Sequence, residues 1–169
     1  TYISDGNERF CMPKFVFHGF RYFEIIGKAE DVWVHEIHTD IPIRAHFSSD
    51  HAVLNFLYRA SVRSLYSNMH AGVISDCPHR ERLGYTGDGQ LTCRAAMTTL
   101  DAKAFYDKWI DDISDCQDRI TGHVQYTAPY THSGGGPGGW GSAIVKVPYE
   151  YYLRFGDDSL LRAAWDGMW

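Results

Sequence analysis

The segment of this chain richest in chemically active side chains is SDCPHRERLGYTGDGQ, residues 75–90. Its charged side chains are three carboxylates and two guanidinium groups, from Asp76, Glu81, Asp88, Arg80 and Arg82. Such groups form strong charge-assisted hydrogen bonds, and a carboxyl group can also donate or accept a proton. Arginines and carboxylates near helix ends also make surface ion pairs, which contribute less than about 1 kcal/mol. Spacing alone leaves both interpretations open.

The elements on either side predict that this segment is a structured loop between two helices. Pro78 interrupts the chain on one side, and Gly84 and Gly87 loosen it on the other. Asp88 has a structural alternative, because an aspartate here can cap the helix that follows. The loop therefore holds its polar groups between two rigid elements, whichever role they have.

Apolar periodicity predicts five helices after residue 48. We expect them from Ser48 or Ser49 to about Met69, from Asp88 onward, over 102–118, over about 142–155 with Gly156 as the stop, and from Asp158 onward. The residues expected on the apolar faces of the first three are Val53, Leu54, Leu57, Ser61, Leu65 and Met69, then Leu91, Ala95 and Thr98 or Thr99, then Phe105, Trp109, Ile113 and Cys116.

Before residue 48 the runs FVFHGFRYFEIIG, VWVHEIHT and IPIRAHF are short and rich in β-branched and aromatic residues. They predict antiparallel strands. Strands followed by helices indicate two consecutive domains, over residues 1–47 and 48–169. Residues 122–142 fit neither class, and a connection of this length is usually a functional loop or a disordered spacer. Its aromatic residues, Tyr126, Tyr130 and Trp140, favour the functional loop.

Composition excludes several classes of function. The chain has 169 residues, enough for one domain with a sizeable core, and its net charge is −5 with no basic run, so nucleic acid is not an expected partner. No apolar run is long enough for a membrane span and no signal peptide is visible, which predicts a soluble chain with no membrane partner. The chain begins at Thr1 and stops at Trp169 within a predicted helix, so we expect a piece of a longer protein, and its compartment stays open.

The metal-ligating residue types are scattered. The four cysteines, Cys11, Cys77, Cys93 and Cys116, form no CxxC pair, which argues against a zinc site or a disulfide framework. They are expected to be buried or half-buried free thiols. His35 and His38 are spaced by three residues, which on a strand places the two rings on opposite faces. We therefore expect no metal and no cofactor.

The sequence DCPHRERLGYTGDGQ resembles the signature loop of the family 78 glycoside hydrolases, the bacterial α-L-rhamnosidases, which runs Asp-Cys-Pro-Gln-Arg, one or two acidic residues, then Arg-Leu-Gly-Trp-Thr-Gly-Asp-Ala-Gln. PKFVFHGFRYFEIIG, DKWIDDISDCQDRITGHV and GGWGSAIVKVPYEYYLRFGDDSLL resemble further segments of the family in the same order, so the resemblance covers essentially the whole chain. It implies a mainly α fold, in which N-terminal β-strands from a β-sandwich are followed by the opening helices of an (α/α)6 barrel.

The resemblance also implies roles for individual residues. Glu81 matches the general acid of an inverting hydrolase, which protonates the departing glycosidic oxygen while a second carboxylate activates water. Asp76 and Asp88 would help such an acid to keep its proton, whereas Arg80 and Arg82 would oppose this, and the sequence does not show which pair lies closer. The residues that match substrate-binding positions are Asp76, Arg80, Tyr85, Asp88 and Trp140.

Five positions depart from the family pattern: His79, Tyr85, Gly89, Ser142 and Tyr149. None removes a proposed catalytic group, but a tyrosine at position 85 in place of tryptophan affects substrate fit, and Ser142 in place of aspartate is as compatible with capping a helix as with binding. The expected function is hydrolysis of terminal α-L-rhamnose from a polysaccharide or glycoside by the parent bacterial enzyme, cytoplasmic or periplasmic. The alternatives are a glycosidase for another sugar and a non-catalytic sugar-binding relative. By itself the 169-residue piece is expected to be inactive, because the general base is missing.

Overall fold

The computed structural model describes residue 3 and residues 5–169. Its regular elements all follow residue 50. The helices are α1 (Ala52–Asn68), α2 (Thr86–Thr99), α3 (Lys103–Cys116), α4 (Ala143–Phe155) and α5 (Ser159–Ala164), and 3₁₀ turns cover Gly139–Ser142 and Trp165–Met168. Two short antiparallel strands, β1 (Met69–His70) and β2 (Val73–Ile74), form a hairpin directly after α1. None of the described helices is both long and apolar enough to cross a membrane.

The helical core lies between α2, α3 and α4. Predicted core positions Phe105, Trp109 and Ile113 of α3 are buried, and Trp109 is fully so. Its indole N–H donates to the carbonyl oxygen of Ala128 at 3.1 Å, which satisfies the one polar atom that this large ring brings into the core. The prediction for α4 also agrees with the structure, because Gly156 ends this helix in the left-handed conformation.

The buried face of α2 differs from the predicted one. Leu91, expected in the core, is 74% exposed, whereas Gly89 and Cys93 are buried. The reason is the close approach of α3: a Cβ atom added at Gly89 would lie 2.1 Å from Cη2 of Trp109. A face of small residues admits the large ring, and a face of leucine side chains would not.

Two predictions for α1 are also wrong. The helix begins after His51, and the hydroxyl of Ser49, three residues before the first helical residue Ala52, accepts the His51 backbone N–H instead of capping the helix. Of the expected apolar stripe, Leu65 and Met69 are buried, whereas the side chains of the first turns are exposed. The exposed members of the stripe are Val53, Leu54, Leu57 and Ser61. Only the C-terminal half of α1 contacts the core.

The three N-terminal segments do not form the predicted strands. Among the described residues before α1, the backbone forms one isolated β-bridge, between Ile43 and Leu100, and no β-strand. Strands need neighbours that pair their backbone groups, and these segments do not pair with one another. Near its end this part of the chain contacts α1 and β1: the Thr39 N–H donates to the Met69 carbonyl, the ring of His38 stacks on that of Tyr66, and Ile41 is buried. The mainly α architecture itself is as expected.

Candidate active site

The signature loop forms one irregular turn between β2 and α2, and its two ends are joined. The N–H of Asp76 donates to the Leu83 carbonyl at 3.1 Å, and the N–H of Leu83 donates to Oδ1 of Asp76 at 3.2 Å. These bonds close the loop into a compact unit that carries Glu81 at its outer side, where the side chain is 37% exposed. The Glu81 carboxyl group is therefore accessible on a braced loop.

Three side chains converge at this point. One potential ligand atom from each of Asp76, Cys77 and Glu81 lies within 4.8 Å of the others. The Cys77 thiol donates to Oε2 of Glu81 at 3.6 Å, and Nη2 of Arg80 lies 3.2 Å from the same oxygen. From the sequence, the acidic neighbour of Glu81 could be Asp76 or Asp88 and the basic one Arg80 or Arg82. In the structure, Asp76 and Arg80 both reach Glu81.

The electrostatics of the cluster distinguish its two carboxyl groups. Partial burial by itself raises the pKa of Asp76, but hydrogen bonds from the side chains of Glu81 and Cys77 and from the backbone N–H of Leu83 outweigh it. The pKa of Asp76 consequently lies below its usual value. The surrounding donors therefore stabilise Asp76 as the anion. On the other side of the cluster, the Glu81 carboxylate raises the pKa of Arg80.

Cys77 is a neighbour of Glu81 that was not predicted from the sequence. It is a half-buried free thiol, as expected, and it lies close to both Asp76 and Glu81. The signal was its position, since it adjoins Asp76 and precedes Glu81 by four residues within one tight loop. Of the other thiols, Cys93 is buried and Cys116 is half-buried as expected, whereas Cys11 is exposed.

The long connection 122–142 is an ordered loop that pairs with the signature loop. The N–H of Thr86 donates to the Tyr126 carbonyl and the N–H of Ala128 donates to the Gly84 carbonyl, each at 2.9 Å. Tyr85, half-buried, forms an isolated antiparallel bridge with Thr127 between these two bonds. The loop is therefore ordered, which contradicts the disordered spacer, and its functional role stays a prediction.

Trp140 lies at the end of this loop, in the 3₁₀ turn before α4. Its indole packs directly on the N-terminal turn of α2, where a Cβ at Gly87 would lie 2.4 Å from Nε1 of Trp140. The ring of Tyr126 meets it edge-on with 6.0 Å between centroids. Although Gly87 and Tyr126 contact the indole from two sides, 45% of Trp140 remains exposed. It is the kind of partly free aromatic face that sugars contact.

Neither Asp88 nor Ser142 makes a side-chain capping bond, although Ser142 occupies the N-cap position of α4. Asp88 lies in the first turn of α2 and is exposed, and Tyr85 occupies the N-cap position. The Ser142 hydroxyl bonds to Oε1 of Gln90 at 2.8 Å and to the Gly139 carbonyl at 2.7 Å, and makes no capping bond. Ser142 thus joins α4 to α2 behind the indole of Trp140.

Comparison with known proteins relates this geometry to a family. Residues 43–169 match the model of the bacterial alpha-L-rhamnosidase 6 hairpin glycosidase domain, and residues 1–41 match that of the bacterial alpha-L-rhamnosidase concanavalin-like domain. The chain belongs to the bacterial α-L-rhamnosidase family. The two family models meet between residues 41 and 43, close to the boundary that the sequence predicts at 47/48.

Individual relatives of this α-L-rhamnosidase chain agree with that assignment. An alpha-L-rhamnosidase of Streptomyces avermitilis is 33% identical over 171 residues, and one of Formosa agariphila is 32% identical over 166 residues. These alignments cover 97% and 93% of this chain but only 16% and 18% of the relatives. The chain therefore spans less than a fifth of their length.

Solved structures give the same fold. The crystal structure of Streptomyces avermitilis alpha-L-rhamnosidase complexed with L-rhamnose superposes with a TM-score of 0.73 at 33% identity, and the alpha-L-rhamnosidase from Dictyoglumus thermophilum with 0.72 at 27%. Each match covers 77% of this chain, and 13% and 15% of the other chains. The expected family and the opening helices of its helical barrel are confirmed.

Proposed function

We propose that the complete enzyme containing this chain removes terminal, non-reducing α-L-rhamnose from a polysaccharide or glycoside, with Glu81 as the general acid. The observation that carries the proposal is the contact between Glu81 and Asp76. Cys77 and Asp76 hold the Glu81 side chain at the outer side of the closed loop, where 37% of it is exposed. A general acid must reach the departing oxygen with a proton to donate, and the partly exposed Glu81 carboxyl is proposed to deliver one to a glycosidic oxygen above the loop.

The remaining site residues have roles suited to a deoxy sugar. The charged groups of Asp76, Arg80 and Asp88 are proposed to bond the sugar hydroxyls, and Tyr85 to line the pocket beside them. Trp140 is proposed to pack on the apolar face that includes the C6 methyl group. The named relatives are alpha-L-rhamnosidases, which favours rhamnose over another sugar.

Inversion requires a second carboxylate about 6.5 to 9.5 Å from the acid, with room for water between them. Asp76 is too close to Glu81 for that role, since their oxygens lie within 4.8 Å and the two side chains share a hydrogen bond. We therefore propose that Asp76 contacts the acid and binds sugar, and that the base comes from another part of the complete enzyme. The proposed domains are a sandwich end over 1–47 and a partial barrel over 48–169.

The test is the variant Glu81→Gln in the complete enzyme, which keeps the shape of the side chain but cannot donate a proton. Turnover of a natural rhamnoside should fall by about 10²- to 10⁴-fold, the usual contribution of a general acid. A nitrophenyl rhamnoside, whose leaving group needs little protonation, should lose much less. Wild-type enzyme should release β-L-rhamnose first, as seen by NMR.

Equal losses on both substrates would contradict the role of Glu81, and α-L-rhamnose as the first product would contradict inversion. A panel of nitrophenyl sugars on the wild-type enzyme tests the sugar itself. Faster release of another sugar than of rhamnose would overturn the substrate assignment.

A further inference from the structure

Two contacts from the N-terminal segment hold the signature loop on both sides of Glu81. On one side Gly19 lies against Pro78, where a Cβ atom at position 19 would be 2.6 Å from the Pro78 carbonyl oxygen. On the other side Nη1 of Arg82 donates to the carbonyl oxygen of Phe17 at 2.9 Å. The acid is thus placed between two points at which the loop is attached to the same three-residue segment.

Arg82 is the more informative of these contacts because its backbone is left-handed, with φ of 56°. That conformation is uncommon for residues with a side chain, and it persists only where the surroundings enforce it. Hydrogen bonds of the neighbouring Leu83 to Asp76 support it from within the loop, and a second support comes from outside. The guanidinium carbon of Arg82 lies 5.5 Å from the ring centroid of Phe17, within range of a cation–π contact.

Phe17 is itself fixed to the helical part of the chain. Its ring stacks on the imidazole of His70 in β1, with centroids 3.9 Å apart and planes inclined by 19°. A continuous series of contacts therefore runs from β1 through Phe17 and Arg82 to the peptide that carries Glu81. Phe17 lies in the range matched by the concanavalin-like domain, whereas Arg82 lies in that of the hairpin domain.

We propose that Arg82, anchored by Phe17, is a positioning residue for the acid, so that the site is assembled across both matched regions. The proposal rests on the function proposed above. The left-handed turn at Arg82 sets the direction of the peptide next to Glu81 and so keeps the carboxyl against Cys77 and Asp76. Without the guanidinium, the turn relaxes toward the common right-handed region, and Glu81 leaves the place from which it can protonate the glycosidic oxygen.

The experiment compares Arg82→Ala, Arg82→Lys and Phe17→Leu in the complete enzyme, with Glu81→Gln as the reference for loss of the acid. Arg119→Ala is the matched control, since Arg119 is an exposed arginine in the turn after α3. Turnover is measured on a natural rhamnoside and on a nitrophenyl rhamnoside, together with KM and the pH dependence of kcat.

For Arg82→Ala we expect kcat on the natural rhamnoside to fall about 10-fold or more, since misplacing a general acid forfeits part of its 10²- to 10⁴-fold effect. The nitrophenyl rhamnoside should lose less than about 3-fold, and KM should change less than about 2-fold for both substrates, because sugar binding is retained. Arg82→Lys should restore most of kcat, as an ammonium group can also bond the Phe17 carbonyl. Phe17→Leu, which keeps that carbonyl but not the ring, should fall between them.

Several outcomes would overturn the proposal. One is an unchanged kcat in Arg82→Ala. A second is an equal loss of kcat on the two substrates together with an unaltered pH profile. A third is a loss of kcat in Arg82→Ala that is equally large in Arg82→Lys. If Glu81→Gln shows the leaving-group dependence and Arg82→Ala does not, the positioning role fails while the proposed function stands. A wild-type enzyme that hydrolyses no rhamnoside refutes the proposed function and the positioning role with it.

Discussion

Replacing Trp140 with alanine tests whether its indole is a sugar platform or a packing residue. The residue is 45% exposed. If a tryptophan side chain presents about 250 Å², roughly 110 Å² remains free, worth at most about 2.8 kcal/mol at about 25 cal/mol per Å². A monosaccharide that covers about half of this area gains about 1.4 kcal/mol, which corresponds to about a 10-fold loss of affinity in Trp140→Ala.

The assay is competitive inhibition by L-rhamnose, measured beside thermal stability of the complete enzyme. Trp140→Ala should raise the inhibition constant about 10-fold with a small change in melting temperature, because the indole is held on the surface of α2 and not in the core. Trp165→Ala is the matched control, since Trp165 is 55% exposed in the last 3₁₀ turn and has no proposed role. A large loss of stability with unchanged inhibition would refute the reasoning.

Three further substitutions or reactions test the packing around the site. In Gly87→Ala the new methyl group would lie 2.4 Å from Nε1 of Trp140, so rhamnose inhibition should weaken although the indole is intact. Gly89→Ala should lower the melting temperature, because crowding the buried Trp109 costs about 1 to 3 kcal/mol while the helix gains at most about 1 kcal/mol. Burial raises the pKa of Cys93 to about 11, so mass spectrometry should find this thiol unmodified after iodoacetamide at neutral pH, and rapid labelling would contradict its burial.

Local sequence rules predicted α3 and α4 well, and the reason is that both carry a single broad apolar stripe. Phe105, Trp109 and Ile113 repeat at helical spacing, and every one of them is buried. The same rule was wrong for α2, because periodicity cannot tell which of two faces meets a neighbour. The deciding contact is between Gly89 and Trp109, twenty residues apart, where absence of a side chain on one helix makes room for a ring on the next.

In the candidate site, too, some contacts could be predicted from the sequence and others could not. The residues within the signature loop could be predicted because they are consecutive, and a short loop brings Asp76 and Glu81 together with little help from the rest of the chain. The contact of Phe17 with Arg82 could not, since 65 residues separate them and neither position has an unusual residue type. Only the three-dimensional arrangement shows that the left-handed turn beside the acid has an external support.

The signature loop carries five charged side chains and still has a defined shape, because contacts within the loop and from outside support it. Its own hydrogen bonds, between Asp76 and Leu83, close the loop on either side of Glu81. An exposed ion pair such as that of Arg80 with Glu81 contributes little to holding a side chain in one direction. In the proposal made above, the backbone at Arg82 supplies further support, because the Phe17 contacts hold it from outside the loop. Phe17 and Arg82 are not among the residues proposed to bind the sugar, so support of this kind leaves Arg80 and Asp88 free for substrate.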